Sequence, residues 1–315
     1  MLPLIFALAI QLAVISDVPP PRPPETIEET LGTATMANGE GWSEPVQVTG
    51  TIDGVTATHA LLMYLPKGYA KTKDTGKRPL MLALHGWNHS AAMFRDKGML
   101  GQWADQYGFV LAVPDMGKTI YETSLYPGAN PKKAWSSVPG TRWVAEVILP
   151  YVRAHYAVYG DRGHTAVIGY STGGRGAVLL AEAYPEFAFA GSTSGTYDLM
   201  RLQPKEGEYK IHAVVYGDRE AFPKRWEFDN IVAPARLAKL AGVRLYISHG
   251  TKDKSVNPDQ VAALRDALKG RDIVVTYDLV KGAKHEWEFW TTQWGAMFAA
   301  AAESFASANP TGKTP

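Results

Sequence analysis

Short apolar runs alternate along the chain with longer stretches of helical spacing. The strand-like runs occupy residues 46–52, 59–65, 79–84, 109–113, 164–170, 187–192, 243–248 and 272–280. Most of these runs are continuously apolar rather than alternating. Continuous apolar strands indicate burial on both faces, as in a parallel sheet that helices cover on either side.

The intervening stretches predict helices over 91–107, 142–156, 173–184, 258–268 and 287–305. Strand–helix alternation of this kind favours an α/β fold with one mostly parallel, doubly wound sheet flanked by helices. The first two runs surround the turn Asp53-Gly54, which predicts an antiparallel opening pair. Polar residues that act on a ligand are then expected beyond the carboxyl ends of the parallel strands.

The N-terminal region has a different pattern. Residues 3–15 are apolar apart from Gln11, and a membrane-spanning helix needs roughly 20 residues. With small residues before residue 17, this run predicts a signal peptide over 1–16; an uncleaved anchor or a buried helix are the alternatives. Prolines make residues 17–44 a stiff linker. We therefore expect a catalytic domain over 45–308, a flexible tail over 309–315, secretion or periplasmic export, and no membrane span after cleavage.

Composition excludes several classes of function. Of 315 residues, 46% are hydrophobic and 20% are charged, which is typical of a globular protein with a core. The formal charge of +1 gives no broad field that would attract nucleic acid, so no nucleic-acid partner is expected. The absence of cysteine excludes disulfides, thiolate metal sites and a cysteine nucleophile.

The motif G-Y-S-T-G at residues 169–173 is the sharpest chemical signal. It follows an apolar strand and opens a helical stretch, which is the setting of a nucleophile elbow. Such a turn lifts the serine hydroxyl to the edge of the sheet, so Ser171 is the candidate nucleophile. The alternative is a glycine-rich strand-to-helix turn without catalytic meaning.

A serine nucleophile needs a base and an acid that orients the base. On this kind of fold they follow the serine in the order acid, then histidine. Asp253 follows the run 243–248, and His285 follows the run 272–280 just before the last helix. These two residues are the candidate acid and base. Asp218 competes with Asp253, because it follows the apolar run HAVVYG, which is read here as a strand.

Acyl transfer also needs donors for an oxyanion. The backbone N–H of Thr172, after the nucleophile, and that of Trp87, after the run 79–84, are the candidates. His85 and His89 have i, i+4 spacing, but the glutamate of a zinc-binding helix motif is missing. We therefore predict no metal site.

Aromatic residues near these turns are candidates for substrate binding. Each tryptophan could equally anchor a loop or pack in the core. The candidate pocket residues are Trp87, Trp135, Trp226 and Trp287.

Three segments resemble known esterases. The continuation STGGRGA from Ser171, with Ser194-Gly195 followed by Asp198, resembles the esterase D group of α/β-hydrolases. The segment LHGWNHSAAMFRDKGMLGQWADQYGFVLAVPD is similar to polyhydroxyalkanoate depolymerases and to related secreted feruloyl or acetyl-xylan esterases. The resemblance spans roughly residues 82–287 and implies a carboxylic-ester hydrolase without a cofactor. Thr172 departs from the pattern, since many esterase D relatives have methionine there.

These observations predict a secreted serine esterase that forms an acyl-enzyme. Its expected substrates are aryl, carbohydrate-linked or polyester acyl esters. A peptidase or acyltransferase with the same triad is one alternative, and a catalytically silent binding module is another. The sequence leaves acyl and alcohol specificity and the oligomeric state open.

Overall fold

A computed structural model describes residues 40–69, 76–126, 135 and 137–308. The predicted signal peptide, the linker up to residue 39 and the tail 309–315 lie outside the described residues. The described strands are β1 Gly41–Trp42, β2 Val46–Ile52, β3 Val55–Leu65, β4 Leu80–Leu84, β5 Val110–Pro114, β6 Thr165–Tyr170, β7 Phe189–Thr193, β8 Arg244–Gly250 and β9 Val275–Val280. Strand β1 lies within the range assigned to the linker. Its residues are in a strand because their backbone pairs with β3.

The strands form one sheet in the order β1-β3-β5-β4-β6-β7-β8-β9, with β2 paired to β3. Strands β5, β4, β6, β7, β8 and β9 run parallel, whereas β2 and β3 form the antiparallel opening pair. Leu82 of β4 lies opposite Ala112 of β5 and Val167 of β6. The predicted mostly parallel sheet is therefore confirmed.

Helices cover both faces of the sheet. They are α1 Ala92–Asp96, α2 Leu100–Tyr107, α3 Gly140–Arg142, α4 Leu149–His155, α5 Thr172–Ala183, α6 Gly207–Tyr216, α7 Pro223–Phe228, α8 Pro234–Leu237, α9 Asp259–Leu268 and α10 Trp287–Ala308. A π-helical turn, Trp143–Ile148, joins α3 to α4. The ring of Pro150 would clash with the carbonyl of Glu146 in a regular α-helix, and the wider turn accommodates it.

The stretch predicted as one helix over 91–107 is two helices. Met99 between them has a left-handed backbone, with φ of 53°. Gly98 lies so close to the backbone of Phe94 that a Cβ would meet its carbonyl oxygen at 2.8 Å. The chain therefore turns between α1 and α2, which helical spacing alone did not reveal.

Neighbouring strand positions supply two separate cores. Leu80 and Leu82 pack on one face of the sheet, in a cluster with α4 and α5. Met81 and Ala83 pack on the other face, against α2 and α10. Burial on both faces is the physical reason for the continuous apolar strands in the sequence.

The chain between β7 and β8 forms a helical insertion, residues 199–240, which we call the cap. The run HAVVYG belongs to α6 here, so its reading as a strand was wrong. In α6 the buried side chains include Glu208, Tyr209, His212 and Tyr216, which recur at helical spacing along one face. A short apolar run does not distinguish a strand from one face of a helix.

Candidate active site

Ser171 lies at the sharp turn between β6 and α5. Its backbone has φ of 56° and ψ of −126°, a conformation that side chains other than glycine rarely adopt. The Ser171 N–H donates to the carbonyl of Thr193 at 2.9 Å, and the Ser171 carbonyl accepts from the N–H of Arg175 at 3.0 Å. The strained turn is thus tied to β7 on one side and to the first turn of α5 on the other.

Glycines make this turn sterically possible. A Cβ at Gly169 would overlap the carbonyl oxygen of Gly173, and a Cβ at Gly173 would overlap that of Leu84. The helix and the strand approach each other too closely for any side chain at these two positions. The spacing of glycines around Ser171 therefore follows from backbone contact, not from backbone flexibility.

Two loops bring His285 and Asp253 to Ser171. The Ser171 Oγ lies 3.0 Å from His285 Nε2, and His285 Nδ1 lies 2.7 Å from Asp253 Oδ2. Asp253 follows β8, and His285 follows β9, so the three side chains meet at one edge of the sheet. The structure brings together the three residues that the sequence singled out.

Asp253 is surrounded by donors. Its side chain is fully buried, and its Oδ1 accepts from the N–H groups of Ser255 and Val256, both at 2.9 Å. The ring of His249 is also buried, with Nε2 3.4 Å from Asp253 Oδ2. Burial opposes ionisation of Asp253, but hydrogen bonds from His249 and then His285 outweigh it and hold its pKa well below the usual range.

Asp218, the competing acid, lies elsewhere. It follows α6 rather than a strand, is exposed, and accepts a hydrogen bond from the Tyr209 hydroxyl at 3.0 Å. Its other oxygen accepts from the backbone N–H of Glu220 at 2.9 Å. It therefore closes a turn within the cap and makes no contact with His285.

The two candidate oxyanion donors flank the nucleophile. Thr172 opens α5, so its N–H is one of the helix N-terminal donors that have no partner within the helix. Trp87 follows Gly86, whose Cα approaches Tyr170 and Ser171 so closely that a Cβ would meet both. Within the described part of the chain, neither the Trp87 N–H nor the Thr172 N–H donates a hydrogen bond.

A pocket of about 1100 Å³ opens at Ser171. Trp87 and Trp287, two of the candidate pocket residues, line it, whereas α6 of the cap contributes Glu208 and Ile211. The pocket therefore has aromatic walls from the sheet edge and a mixed wall from the cap.

The other two tryptophans have different surroundings. Trp135 lies beside Trp87, with ring centroids 5.6 Å apart, and lines a neighbouring cavity. Trp226 is 0% exposed in α7, stacks on Tyr209 and donates from Nε1 to the carbonyl of Gly217 at 3.0 Å. A fully buried ring cannot contact a substrate, so the structure places Trp226 in the core of the cap and not in the pocket.

His85 and His89 make separate contacts despite their spacing. His85 is buried, and its Nε2 accepts from the N–H of Met116 at 2.8 Å. His89 Nδ1 pairs with the Tyr170 hydroxyl at 2.8 Å and its ring stacks on Trp287. Over the described residues, no cluster of histidines and carboxylates suited to a metal ion is found.

None of the described helices combines the length and the apolar character that crossing a bilayer requires.

Sequence reasoning missed two buried polar groups at this site. His249 had a local signal, because it lies four residues before Asp253 on the same strand-to-loop segment. Glu208 had none, since the segment that carries it was read as leading into a strand. Its place in the pocket depends on how the cap folds over the sheet.

Comparison with known sequences identifies relatives. A family model described as Putative esterase matches residues 57–305. Feruloyl esterase B of Neurospora crassa is 28% identical over 124 residues, which are 39% of this chain and 41% of that protein. The matched region thus spans less than half of that relative's length.

Two solved structures have the same architecture. A ferulic acid esterase superposes with a TM-score of 0.64 at 19% identity, over 85% of this chain and 100% of that chain. S-formylglutathione hydrolase from Agrobacterium tumefaciens superposes with a TM-score of 0.63 at 18% identity, over 84% of this chain and 99% of that chain. With the parallel sheet and its flanking helices, these likenesses confirm the predicted α/β-hydrolase fold.

Proposed function

The chain belongs to the Esterase family, and from this premise we propose that it is a serine carboxylic-ester hydrolase. In this proposal Ser171 is the nucleophile, His285 is the general base and Asp253 orients the base. One observation carries the proposal: hydrogen bonds of 3.0 and 2.7 Å link the serine hydroxyl, both imidazole nitrogens and a buried carboxylate in series. That series is what a serine nucleophile requires.

Acylation begins when His285 Nε2 accepts the Ser171 proton and the serine oxygen attacks the ester carbonyl. The N–H groups of Trp87 and Thr172 stabilise the oxyanion that forms on the carbonyl oxygen. Asp253 accepts from His285 Nδ1–H, which keeps the imidazole in the reactive tautomer and stabilises its charged form. The C–O bond then breaks, and the alcohol leaves with the proton that His285 holds.

Deacylation repeats the sequence with water. His285 accepts a proton from water, the resulting hydroxide oxygen attacks the acyl carbon, and the same two N–H groups bind the oxyanion. The bond to Ser171 breaks, the serine oxygen regains a proton from His285, and the carboxylic acid leaves. The hydrogen bonds from Ser255 and Val256 to Asp253 support the proposal, because they hold the carboxylate in place.

The substrates that we propose are aryl, carbohydrate-linked or polyester acyl esters. The aromatic walls at Trp87 and Trp287 and the partial match to a feruloyl esterase favour an aryl group. A panel tests this: aryl esters of increasing acyl length, feruloyl and acetylated-xylan esters, and a polyester film. If folded protein hydrolyses none of these esters, the esterase proposal is contradicted.

Two other functions make different predictions for the same protein. A peptidase would cleave amide analogues of the best ester at a comparable rate, and an acyltransferase would favour an added alcohol over water. A catalytically silent binding module would not react with a fluorophosphonate probe. We expect the probe to label wild-type protein at Ser171, as peptide mapping by mass spectrometry can establish.

We also propose that the protein is exported and that its mature chain begins near Asp17. The support is the apolar run over residues 3–15 and the proline-rich stretch after it. N-terminal sequencing of the native protein tests this. Recovery of an intact N-terminus from the cytoplasm would contradict it.

A further inference from the structure

Glu208 is a buried carboxylic acid in the pocket wall that the proposed mechanism does not use. It lies in the first turn of α6, is 9% exposed, and lines the pocket that contains Ser171 and His285. Carboxylates are rarely buried unless they are paired. The surroundings of Glu208 therefore indicate what the acid binds.

One oxygen of Glu208 is occupied. The Thr196 hydroxyl donates to Oε2 at 2.6 Å, from a loop that follows β7 at the same sheet edge as the nucleophile. In the parts of the chain that the structure describes, Oε1 makes no hydrogen bond. The Glu208 side chain lines the pocket and is 11% exposed, and Oε1 is not fully enclosed by the protein.

Among the described residues, no lysine or arginine forms an ion pair with Glu208. His212 Nδ1 lies 3.9 Å from Oε2, but it donates to the Glu208 backbone carbonyl at 2.8 Å. Burial, with the charge of Arg175, lowers the pKa of His212 to about 3, so this imidazole is neutral at neutral pH. Burial also raises the pKa of Glu208, although the Thr196 hydrogen bond and the nearby His285 and Arg175 oppose that shift and Asp253 adds to it.

We infer that Oε1 of Glu208 binds a hydroxyl group of the substrate, and this inference rests on the proposed esterase function. A hydroxyl satisfies this acid in either protonation state, because it donates to a carboxylate and accepts from a carboxylic acid. An ammonium group would require the ionised form alone, and an ether oxygen would require the neutral form alone. Glu208 is thus a specificity-determining residue on the cap side of the pocket.

The hydroxyl can belong to either half of the ester. A phenol on the acyl group and a sugar hydroxyl on the alcohol offer the same chemistry. Two matched pairs separate these sources: methyl 4-hydroxycinnamate against methyl cinnamate, and an acetylated pyranose against cyclohexyl acetate. For one of the pairs, we expect the wild type to favour the hydroxylated ester at least tenfold in kcat/KM.

The variant Glu208→Met tests the assignment, since it preserves length and removes both oxygens. Hydrogen bonds to charged or polarised groups change binding roughly 10–100-fold. We expect the hydroxyl preference to fall by that factor in the pair that wild type discriminates, through loss on the hydroxylated ester. Glu220→Met, at an exposed position of the cap, is the matched control and is expected to keep the wild-type preference.

Three results would overturn the inference. They are a wild type that discriminates neither pair, a Glu208→Met variant with the wild-type preference, and an equal loss on both members of the pair, which indicates a structural role. If Glu208→Met does not fold, Glu208→Leu replaces it, because it also removes both oxygens; a reduced preference is expected, and an unchanged preference would contradict the inference. Fluorophosphonate labelling of Ser171 and turnover of methyl cinnamate report on the esterase proposal independently of Glu208.

Discussion

The sheet edge and the cap are held in place by different forces. At the sheet edge the backbone does most of the positioning: the N–H of Ser171 bonds to Thr193, that of Asp253 to Gly250, and that of Lys252 to Ala283. Each candidate catalytic side chain follows a strand by a few residues. Its position is therefore set by the sheet and by glycines that allow close backbone contact.

The cap is anchored by buried polar side chains. Arg175 projects from α5, one turn after the nucleophile, and donates to the carbonyls of Ile120 at 3.0 Å and Asp229 at 2.8 Å. The Asp229 carboxylate accepts from the Tyr216 hydroxyl and from Arg236, both at 2.8 Å. Side-chain networks of this kind specify one arrangement only if all members are present.

Under the proposed function, this difference assigns the chemical steps to the sheet edge and substrate selectivity to the cap. In that proposal, the groups that must keep sub-ångström geometry follow the strands of a buried sheet, whereas the groups proposed to face the substrate's periphery belong to an insertion. Insertions between strands tolerate sequence change better than the strands do. Perturbing the sheet edge should therefore abolish turnover, and perturbing the cap should change stability or preference first.

The largest effect is expected for Ser171→Ala. Loss of the attacking oxygen should lower kcat by roughly 10⁴–10⁶-fold, since only binding and the oxyanion donors remain. Hydrolysis of an aryl ester and fluorophosphonate labelling measure the loss, with Ser304→Ala on α10 as the control. Wild-type turnover by a folded Ser171→Ala protein would remove Ser171 from the mechanism.

A somewhat smaller loss is expected for Asp253→Asn. The amide no longer selects the reactive tautomer of His285, and this costs about 10⁴-fold in kcat in the best-studied triad. Asp218→Asn is the matched control, because Asp218 is exposed in the cap and should leave kcat nearly unchanged. The opposite outcome, with Asp218→Asn inactive and Asp253→Asn active, would show that the acid is misassigned.

In the cap, Arg175→Met should affect stability. The substitution leaves the carbonyls of Ile120 and Asp229 buried without donors, and each unsatisfied group costs about 1–3 kcal/mol. We expect the free energy of unfolding to fall by about 3 kcal/mol in urea titrations. Arg265→Met, at an exposed site on α9, should change it by less than about 0.5 kcal/mol. Equal stability of the two variants would refute the anchoring role.

Glu122, near the junction of sheet and cap, should make stability depend on pH. Burial, together with the charge of Asp229, raises its pKa from 4.5 to about 7. Between pH 4.5 and about pH 7, the Glu122 carboxyl group keeps its proton in the folded state but has released it in the unfolded state. The unfolding free energy should therefore fall as pH rises, by about 2 kcal/mol between about pH 5 and about pH 8.

Glu122→Gln removes the titrating group and tests this dependence. Its unfolding free energy should fall less than that of the wild type over the same pH range. Chemical unfolding followed by fluorescence at several pH values measures both proteins. Identical pH profiles would show that Glu122 does not retain its proton in the fold.

Much of the sheet edge could be predicted from local sequence. Continuous apolar runs located seven of the strands within three residues at each end, and glycine spacing located the elbow at Ser171. The order of strands then limited the acid and base to a few loops. The structure of the cap could not be predicted in the same way. Its short apolar run is compatible with a strand or with one face of a helix, and the sequence around Trp226 is compatible with a pocket position or a core position.

The sequence by itself determined the α/β architecture and the three residues that meet at the sheet edge. Both follow from short-range periodicity and from backbone sterics that few residues satisfy. Only the tertiary structure decided that His249 also contacts Asp253, that Trp226 is buried, and that Glu208 lines the pocket. The burial of Trp226 and the place of Glu208 depend on side chains that pack across long sequence separations, which no local pattern encodes; the contact of His249 with Asp253 had a local signal in the four-residue spacing, but the fold had to bring both side chains to the buried edge of the sheet.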